Sequence, residues 1–336
     1  MTKPLVTIIC ITYNHENFIS ETIDGFLMQK TDFPFEIIIH DDCSTDNTRN
    51  VIQKYADENN ELIKPIYQKQ NIYSQGIKPM TVSLPHSEGK YIALCEGDDY
   101  WTDPNKLQKQ VNFLENNSDF SICYHDVSIL ENGNFVDSHV PVYDKEFLTI
   151  IDLAKENCIH TPTCVFRNKL FDHFPVFFNS SPAGDYVLHL LNAQHGKIKH
   201  LPEKMAVYRR HSGGVWAGRQ LPSKLASWLE VLSPLIIYFK DYPEVRRELE
   251  KQHLNTLLRL VKISETVDDK EFLINGLEKM GDWEVKHIAQ HIIETKSESN
   301  KVMNNYANID FIINQISLKD AIKLALKKLY YTLRHK

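Results

Sequence analysis

The chain has 336 residues, 42% of them hydrophobic, with 44 acidic residues against 38 basic ones and a formal net charge of −6. That length and apolar content let it bury a large core, as one big domain plus a smaller one, and exclude a disordered chain. Basic residues are interleaved with acidic ones, so no broad positive face forms and nucleic acid is not an expected partner.

Leu5 to Thr12 is a continuous β-branched run, the mark of a strand covered on both faces. Phe18 to Gln29 follows with Phe18, Ile19, Ile23, Phe26 and Leu27 at helical spacing. The pattern repeats with a strand at Phe35 to His40, an amphipathic helix at Asp46 to Glu58 and a short strand at Ile63 to Tyr67. Such alternation predicts a parallel sheet with helices on its faces. Tyr91 to Cys95 reads as a further strand ending in Glu96-Gly97-Asp98-Asp99, and Pro104 opens a helix running to about Leu114. Beyond Asn117 the pattern turns more β-like. Phe120 to Leu130 and Phe135 to Val140 form a hairpin across Asn132-Gly133-Asn134, and Thr161 to Phe166 is one more strand. Asp185 to His195 is a helix closed by Gly196, and Lys197 to His211 is an extended return. From Leu221 the periodicity is helical, which places the domain boundary near Arg219 to Pro222, with residues 1–220 forming one domain and 221–336 the other.

The six cysteines lack the C-x-x-C spacing of a zinc ribbon or redox pair and read as reduced thiols, with Cys10, Cys95 and Cys123 packed as small hydrophobes inside strands. The opening MTKPLVTIICITYN reads as a strand instead of a leader, and no run approaches the roughly 20 apolar residues of a spanning helix. A cytoplasmic location is expected.

In an open α/β sheet, ligands sit outside the carboxyl ends of the strands, so Tyr13-Asn14, Asp41-Asp42 and Asp98-Asp99 are expected to meet at one crevice. Asp41 to Thr48 follows a strand and precedes a helix; a carboxylate there can accept a hydrogen bond from a base N–H while Thr45 or Asp46 caps the helix. Asp98 and Asp99, with Glu96 close by, repel one another unless a cation or hydrogen-bond donors offset their charge. Hard oxygen ligands suit Mg²⁺ or Mn²⁺, and successive side chains face opposite ways, so one carboxylate can take a metal and the other a ribose hydroxyl. Asp185, at a helix start, serves as an N-cap or as a base for an acceptor hydroxyl. Tyr208 to Gly214 combines two arginines, His211 and flexible glycines, which suits diphosphate binding or a metal ligand. Trp101, His160 and Trp216 are weaker candidates for a sugar platform.

Val6 to Asn14, the Asp41-Asp42-x-Ser44-x-Asp46-x-Thr48 segment, Glu96-Gly97-Asp98-Asp99, Gly184-Asp185 and Tyr208-Arg209-x-His211 occur in the order found in inverting glycosyltransferase family 2, which this sequence resembles from Met1 to about Gly218. The resemblance implies a GT-A fold: a Rossmann-like, mostly parallel sheet with helices on both faces, here followed by a helical C-terminal region. It implies a hexosyl-type transfer from a nucleotide-sugar, a UDP-sugar, to an acceptor hydroxyl with inversion, in cell-surface polysaccharide synthesis. Carried over by position, Thr12, Tyr13 and Asn14 line the nucleotide pocket, Asp42 holds the base and Asp98 contacts the ribose. Asp99 holds Mn²⁺ or Mg²⁺ with His211, and Asp185 is the catalytic base.

A sugar nucleotidyltransferase is the nearest rival, but the first strand is followed by Tyr13-Asn14-His15-Glu16-Asn17, without the glycine-rich loop such enzymes carry. The other alternative is a GT-A-fold binding module without turnover. Residues 317–336 place Leu318, Ile322, Leu326, Leu329 and Leu333 on one helical face with lysines elsewhere, a pattern suited to an anionic membrane surface where lipid-linked glycan acceptors are found.

Overall fold

The computed structural model describes residues 3–136, 145–211, 213–214 and 219–264. The chain divides into two compact units, Met1–Gly218 and Arg219–Lys336.

In the first unit β1 (Val6–Thr12), α1 (Ile19–Leu27), β2 (Phe35–Asp41), α2 (Thr48–Glu58) and β3 (Ile63–Tyr67) follow one another as the periodicity predicts. The short α3 (Pro79–Ser83) precedes β4 (Tyr91–Glu96) and β5 (Tyr100–Trp101), and α4 (Lys106–Asn116) leads to β6 (Phe120–Glu131) and β7 (Asn134–Val136). After α5 (Ile150–Lys155) and β8 (Val165–Arg167) come α6 (Gly184–Ala193) and β9 (Lys197–Arg210). The strand order is β3-β2-β1-β4-β8-β6-β9-β5, with β7 paired to β6.

The sheet has two halves. From β3 to β4 every pairing is parallel, with Thr12 beside Asp41 and Ile11 beside Glu96, so three polar tips leave the same edge. Beyond β4 the sheet is mixed: β8 runs antiparallel to both β4 and β6, β6 pairs parallel with β9, and β5 runs antiparallel to β9. The expectation of a mostly parallel sheet therefore holds for the first half only. One expected strand is also shorter than predicted: Thr161 to Thr163, with Pro162 inside it, coils into a 3-10 turn and leaves only Val165–Arg167 as strand. The hairpin turn is as expected, with Asn132 and Gly133 both at positive φ, as a two-residue turn matched to strand twist requires. The remainder of that expected second strand, residues 137–140, lies outside the described residues.

The core forms where β1, β2 and β4 are covered on both faces. Ile8, Ile37, Ile39, Ala93 and Cys95 pack with Ile19, Ile23 and Phe26 of α1 and with Leu107, Val111 and Leu114 of α4. Each fully buried isoleucine or leucine contributes roughly 1.5–3 kcal/mol. Trp101 is buried edge-on to Phe26 and donates its indole N–H to the Pro162 carbonyl at 2.9 Å, so it is a packing residue instead of a sugar platform. All six cysteines are free, and all but Cys43 are buried.

The second unit holds α7 (Leu221–Tyr238), with Pro222 in its first turn and Pro234 inside, and α8 (Pro243–Ser264). Their packing is anchored by Leu232, Leu235, Phe239 and Leu249, all fully buried. No helix among the described residues is long and apolar enough to cross a membrane. Trp216 and the amphipathic segment 317–336 lie outside the described residues.

Candidate active site

The tips of β1 and β2 are tied together by side chains. Asn14, in the left-handed region at φ 56°, accepts hydrogen bonds from the Thr45 N–H at 2.8 Å and the Thr45 hydroxyl at 3.3 Å, while its own N–H donates to Ser44 Oγ at 2.9 Å. Cys43 also sits at positive φ, 64°, a conformation that costs a non-glycine residue of order 1–3 kcal/mol and gathers at functional turns. Thr45 thus serves the β1 tip, and Asp46 accepts the Thr48 N–H that opens α2 at 3.0 Å while holding the Glu16 N–H at 3.1 Å. Asp41 is consumed structurally, with Arg49 Nη2 at 2.8 Å from its carboxylate. Asp42 is buried, and each of its oxygens accepts a backbone N–H of the loop after β3, from Ile72 at 2.8 Å and Tyr73 at 3.0 Å. Tyr13 and Tyr73 both stand exposed here.

At the end of β4, Glu96, Asp98 and Asp99 bring one carboxylate oxygen each within 4.8 Å of one another. The pairing of β5 with β9 carries residues about 110 positions away to them. The Arg209 N–H donates to Asp99 Oδ1 at 2.8 Å, and the Arg209 guanidinium donates to the Asp98 carbonyl at 2.6 Å and pairs with Glu21. His211 Nε2 lies 3.0 Å from Asp98 Oδ2, and His15 Nε2 lies 3.8 Å from the same oxygen. His15 is held by Thr12 Oγ1 at 3.2 Å, and Phe18 covers His211 with ring centroids 4.8 Å apart. Burial works to raise the pKa of Asp98, but the hydrogen bond from His211 and the fields of both imidazoles hold it below the usual carboxylate range. Asp99 goes the other way: burial, then Asp98 and Glu96, push its carboxyl well up, with Arg209 opposing. Glu96 faces the open cleft, yet the surrounding protein and the charges of Asp98 and Asp185 push it up to about 8 against the pull of Lys78.

Two buried oxygens, Asp98 Oδ1 and Asp99 Oδ2, have no hydrogen-bond partner among the described residues. Orphaned acceptors on adjacent carboxylates are costly unless a cation meets them, and an oxygen set of this kind fits Mg²⁺ or Mn²⁺.

Asp185 is not the helix cap that its position suggests. The helix begins one residue earlier, with Ala183 as the cap residue, and Asp185 lies within the first turn. Burial raises its pKa, with the Tyr186 N–H and the Lys78 charge working against that rise. The Lys78 side chain crosses Gly184, the residue before Asp185, and the charge of Asp185 is felt at Glu96.

The structure therefore brings Tyr13, Asn14, Asp42, Asp98, Asp99 and His211 to one edge of the sheet, with Thr12 buried behind His15 and Asp185 in the first turn of α6. Sequence reasoning missed His15 and Lys78. His15 lies three residues from Thr12 in the first polar tip, a signal that was available; Lys78, alone between Ile77 and Pro79, carries none. His160 packs against Tyr208 with ring centroids 5.0 Å apart at a tilt of 34°, and burial pushes its pKa down to about 4.

The profile of glycosyl transferase family 2 matches residues 7–175. An uncharacterized protein of Mycobacterium tuberculosis is 41% identical over 214 residues, 63% of this chain and 60% of the relative, so the chain spans three fifths of that protein's length. Poly(ribitol-phosphate) beta-N-acetylglucosaminyltransferase TarS of Staphylococcus aureus is 29% identical over 178 residues, 51% of this chain and 29% of TarS. The crystal structure of TarS residues 1–349 shares the fold with a TM-score of 0.61 at 20% identity, covering 85% of this chain and 82% of that one. A mannosyltransferase of Pyrobaculum calidifontis, solved with GDP-Man and Mn²⁺, gives a TM-score of 0.56 at 14% identity, covering 99% and 87%.

Proposed function

The chain belongs to glycosyl transferase family 2, and we propose that it moves a sugar from a UDP-sugar onto a hydroxyl of a cell-surface glycan or its lipid-linked precursor, with inversion and with the help of Mn²⁺ or Mg²⁺. The observation that carries this reading is the pair of orphaned buried oxygens on Asp98 and Asp99 at the end of β4. The TarS likeness supports the donor class, because TarS has been solved with UDP-GlcNAc, at a TM-score of 0.58 to this chain. We place the reaction at the cytoplasmic face of the membrane.

Asp98 and His211, which already meet at 3.0 Å, are the first candidates for the cation, with Asp99 Oδ2 as the next oxygen. Asp99 alone is the poorer ligand, since it is fully buried and its other oxygen holds the Arg209 N–H. A divalent ion bound there supplies Lewis-acid neutralisation of the leaving diphosphate. Tyr13 offers an exposed ring to the nucleotide, Asn14 and Asp42 hold the loops around it, and Thr12 supports His15 from behind.

Asp185 takes the proton from the acceptor hydroxyl as that oxygen attacks the anomeric carbon. Its raised pKa makes it a stronger base than an exposed aspartate, with the Lys78 charge working against that rise. Inversion needs only this one displacement, with no covalent intermediate.

The test is release of free nucleoside diphosphate from UDP-GlcNAc, UDP-glucose, UDP-galactose and GDP-mannose, with and without Mn²⁺. Metal-dependent release from a UDP-sugar is expected. Binding of UDP without release from any donor would mean a binding module instead, and release that is indifferent to metal chelation would remove the cation from the reading.

A further inference from the structure

Lys78 stands out as a cation that neither the fold nor the donor-binding account uses. It is 8% exposed, and its backbone is pinned from two sides. Its N–H donates to Asn179 Oδ1 at 3.0 Å, in the segment leading to α6, and its carbonyl accepts the Thr81 hydroxyl at 2.7 Å, in α3. From that anchor the side chain runs across Gly184. A methyl group at Gly184 would sit 2.7 Å from Lys78 Cδ, 2.8 Å from Cε and 3.4 Å from Nζ, so a glycine at the start of α6 is what lets the lysine stem through. The ammonium ends beside Gly184, the residue before Asp185, with the Tyr73 ring centroid 5.2 Å away.

Lys78 Nζ makes no hydrogen bond or ion pair with any of the described residues, while the charges of Asp185 and Glu96 both act on it. A lysine costs more rotamer entropy than most residues to bury, and it loses hydration as well. Here no direct salt bridge offsets that cost. What the placement does provide is a buried amino group threaded past the residue that precedes the candidate base.

Resting on the transferase reading above, we propose that Lys78 is a positioning residue for the base: its ammonium, threaded over the glycine that precedes Asp185, sets a positive charge next to the base where the acceptor hydroxyl arrives. Gly184 belongs to the same device, because any side chain there displaces the lysine. The charge of Asp185 acts on Lys78 from the loop before α3, Glu96 from β4, Tyr208 and Cys164. Lys78 is the one cation among them.

Lys78→Met, Lys78→Arg and Gly184→Ala separate this from a donor-binding or purely structural role. In UDP release from whichever sugar nucleotide the wild-type protein turns over, Lys78→Met is expected to lower kcat roughly tenfold to a hundredfold, the scale of a misplaced general base, with KM for the donor and calorimetric affinity for UDP within about twofold. Gly184→Ala should reproduce the kcat loss with the lysine still present, and Lys78→Arg should recover part of it. A rise in donor KM at constant kcat would assign Lys78 to the donor instead and overturn the proposal, as would full activity in Gly184→Ala. Should the wild-type protein release no diphosphate from any donor, the transferase reading fails by itself. The Lys78–Asp185 coupling then stays testable in a thermal-unfolding double-mutant cycle of Lys78→Met and Asp185→Asn, where additive shifts in Tm would overturn it.

Discussion

At the N-terminal ends of β1 and β2, the buried carboxylate of Glu36 accepts hydrogen bonds from the Thr7 hydroxyl at 2.6 Å and the Glu88 N–H at 2.8 Å, and Lys64 lies 2.5 Å away. At the opposite ends of the same parallel strands, Asp98 and Asp99 are just as buried but each keeps an oxygen without a partner. Both ends pay the desolvation cost of charge, but of these three carboxylates only Glu36 has both oxygens partnered among the described residues. For Glu36 burial alone would raise the pKa, but Lys64, Thr7 and the Glu88 N–H reverse the shift and leave it lowered; for Asp99 burial prevails and the pKa rises. Completeness of partners, more than burial or charge, separates the carboxylate that supports the fold from those left available to a ligand.

Substitutions at the two ends should break in different ways. Asp185→Asn is expected to have the largest effect, a loss of about 10²–10⁴ in kcat with the fold and UDP affinity retained, read by steady-state UDP release beside calorimetry. Equal losses in UDP affinity and kcat would instead make Asp185 a binding residue. At the compensated end, Glu36→Gln should cost about 1–3 kcal/mol in denaturant unfolding, because it removes a charge-assisted bond and leaves Lys64 unpaired, while kcat per folded molecule stays unchanged. A catalytic defect there would erase the contrast between the two ends.

A third carboxylate extends the comparison to pH. Asp152 of the α5 capping box accepts the Thr149 N–H at 3.1 Å and pairs with Lys145 and Lys155. Burial opposes ionisation, but Lys145, Thr149 and Lys155 together bring its pKa down from 3.8 to about 2. Its folded-state pKa lies below the unfolded one, so it contributes stability above pH ~4, about 2 kcal/mol, which is lost as the pH falls toward about 2. Asp152→Asn should therefore lower stability at neutral pH and flatten the wild-type decline between those values. The same slope in both proteins would assign the acid sensitivity elsewhere.

Much of the first half of the sheet was legible because its signals are local. The β-branched runs of β1 and β2 and the helical spacing of Ile19, Ile23 and Phe26 each lie within about ten residues, and the polar tips follow them directly. The mixed half was less legible: β8 has three residues and β5 two, too short for a period to declare itself, and pairing direction is not written in periodicity. The site divides in the same way. Asp42, Asp98, Asp99 and Asp185 belong to recognisable segments, whereas Lys78 enters by a fold-back over Gly184 that leaves no mark in its neighbours. His15 was overlooked although it lies in a tip already singled out.

By itself the sequence determined which residues form strands and helices in the parallel half of the sheet, that acidic groups collect at strand ends, and which family the motifs resemble. These are consequences of local spacing and side-chain chemistry. Only the tertiary structure decided that Asp98, and not Asp99, meets His211, that Asp42 is bound to the loop after β3, and that a lysine stands beside the candidate base. Those facts depend on which strands become neighbours across more than a hundred residues and on how much water remains around each charge, and neither is set by a residue's neighbours in the chain.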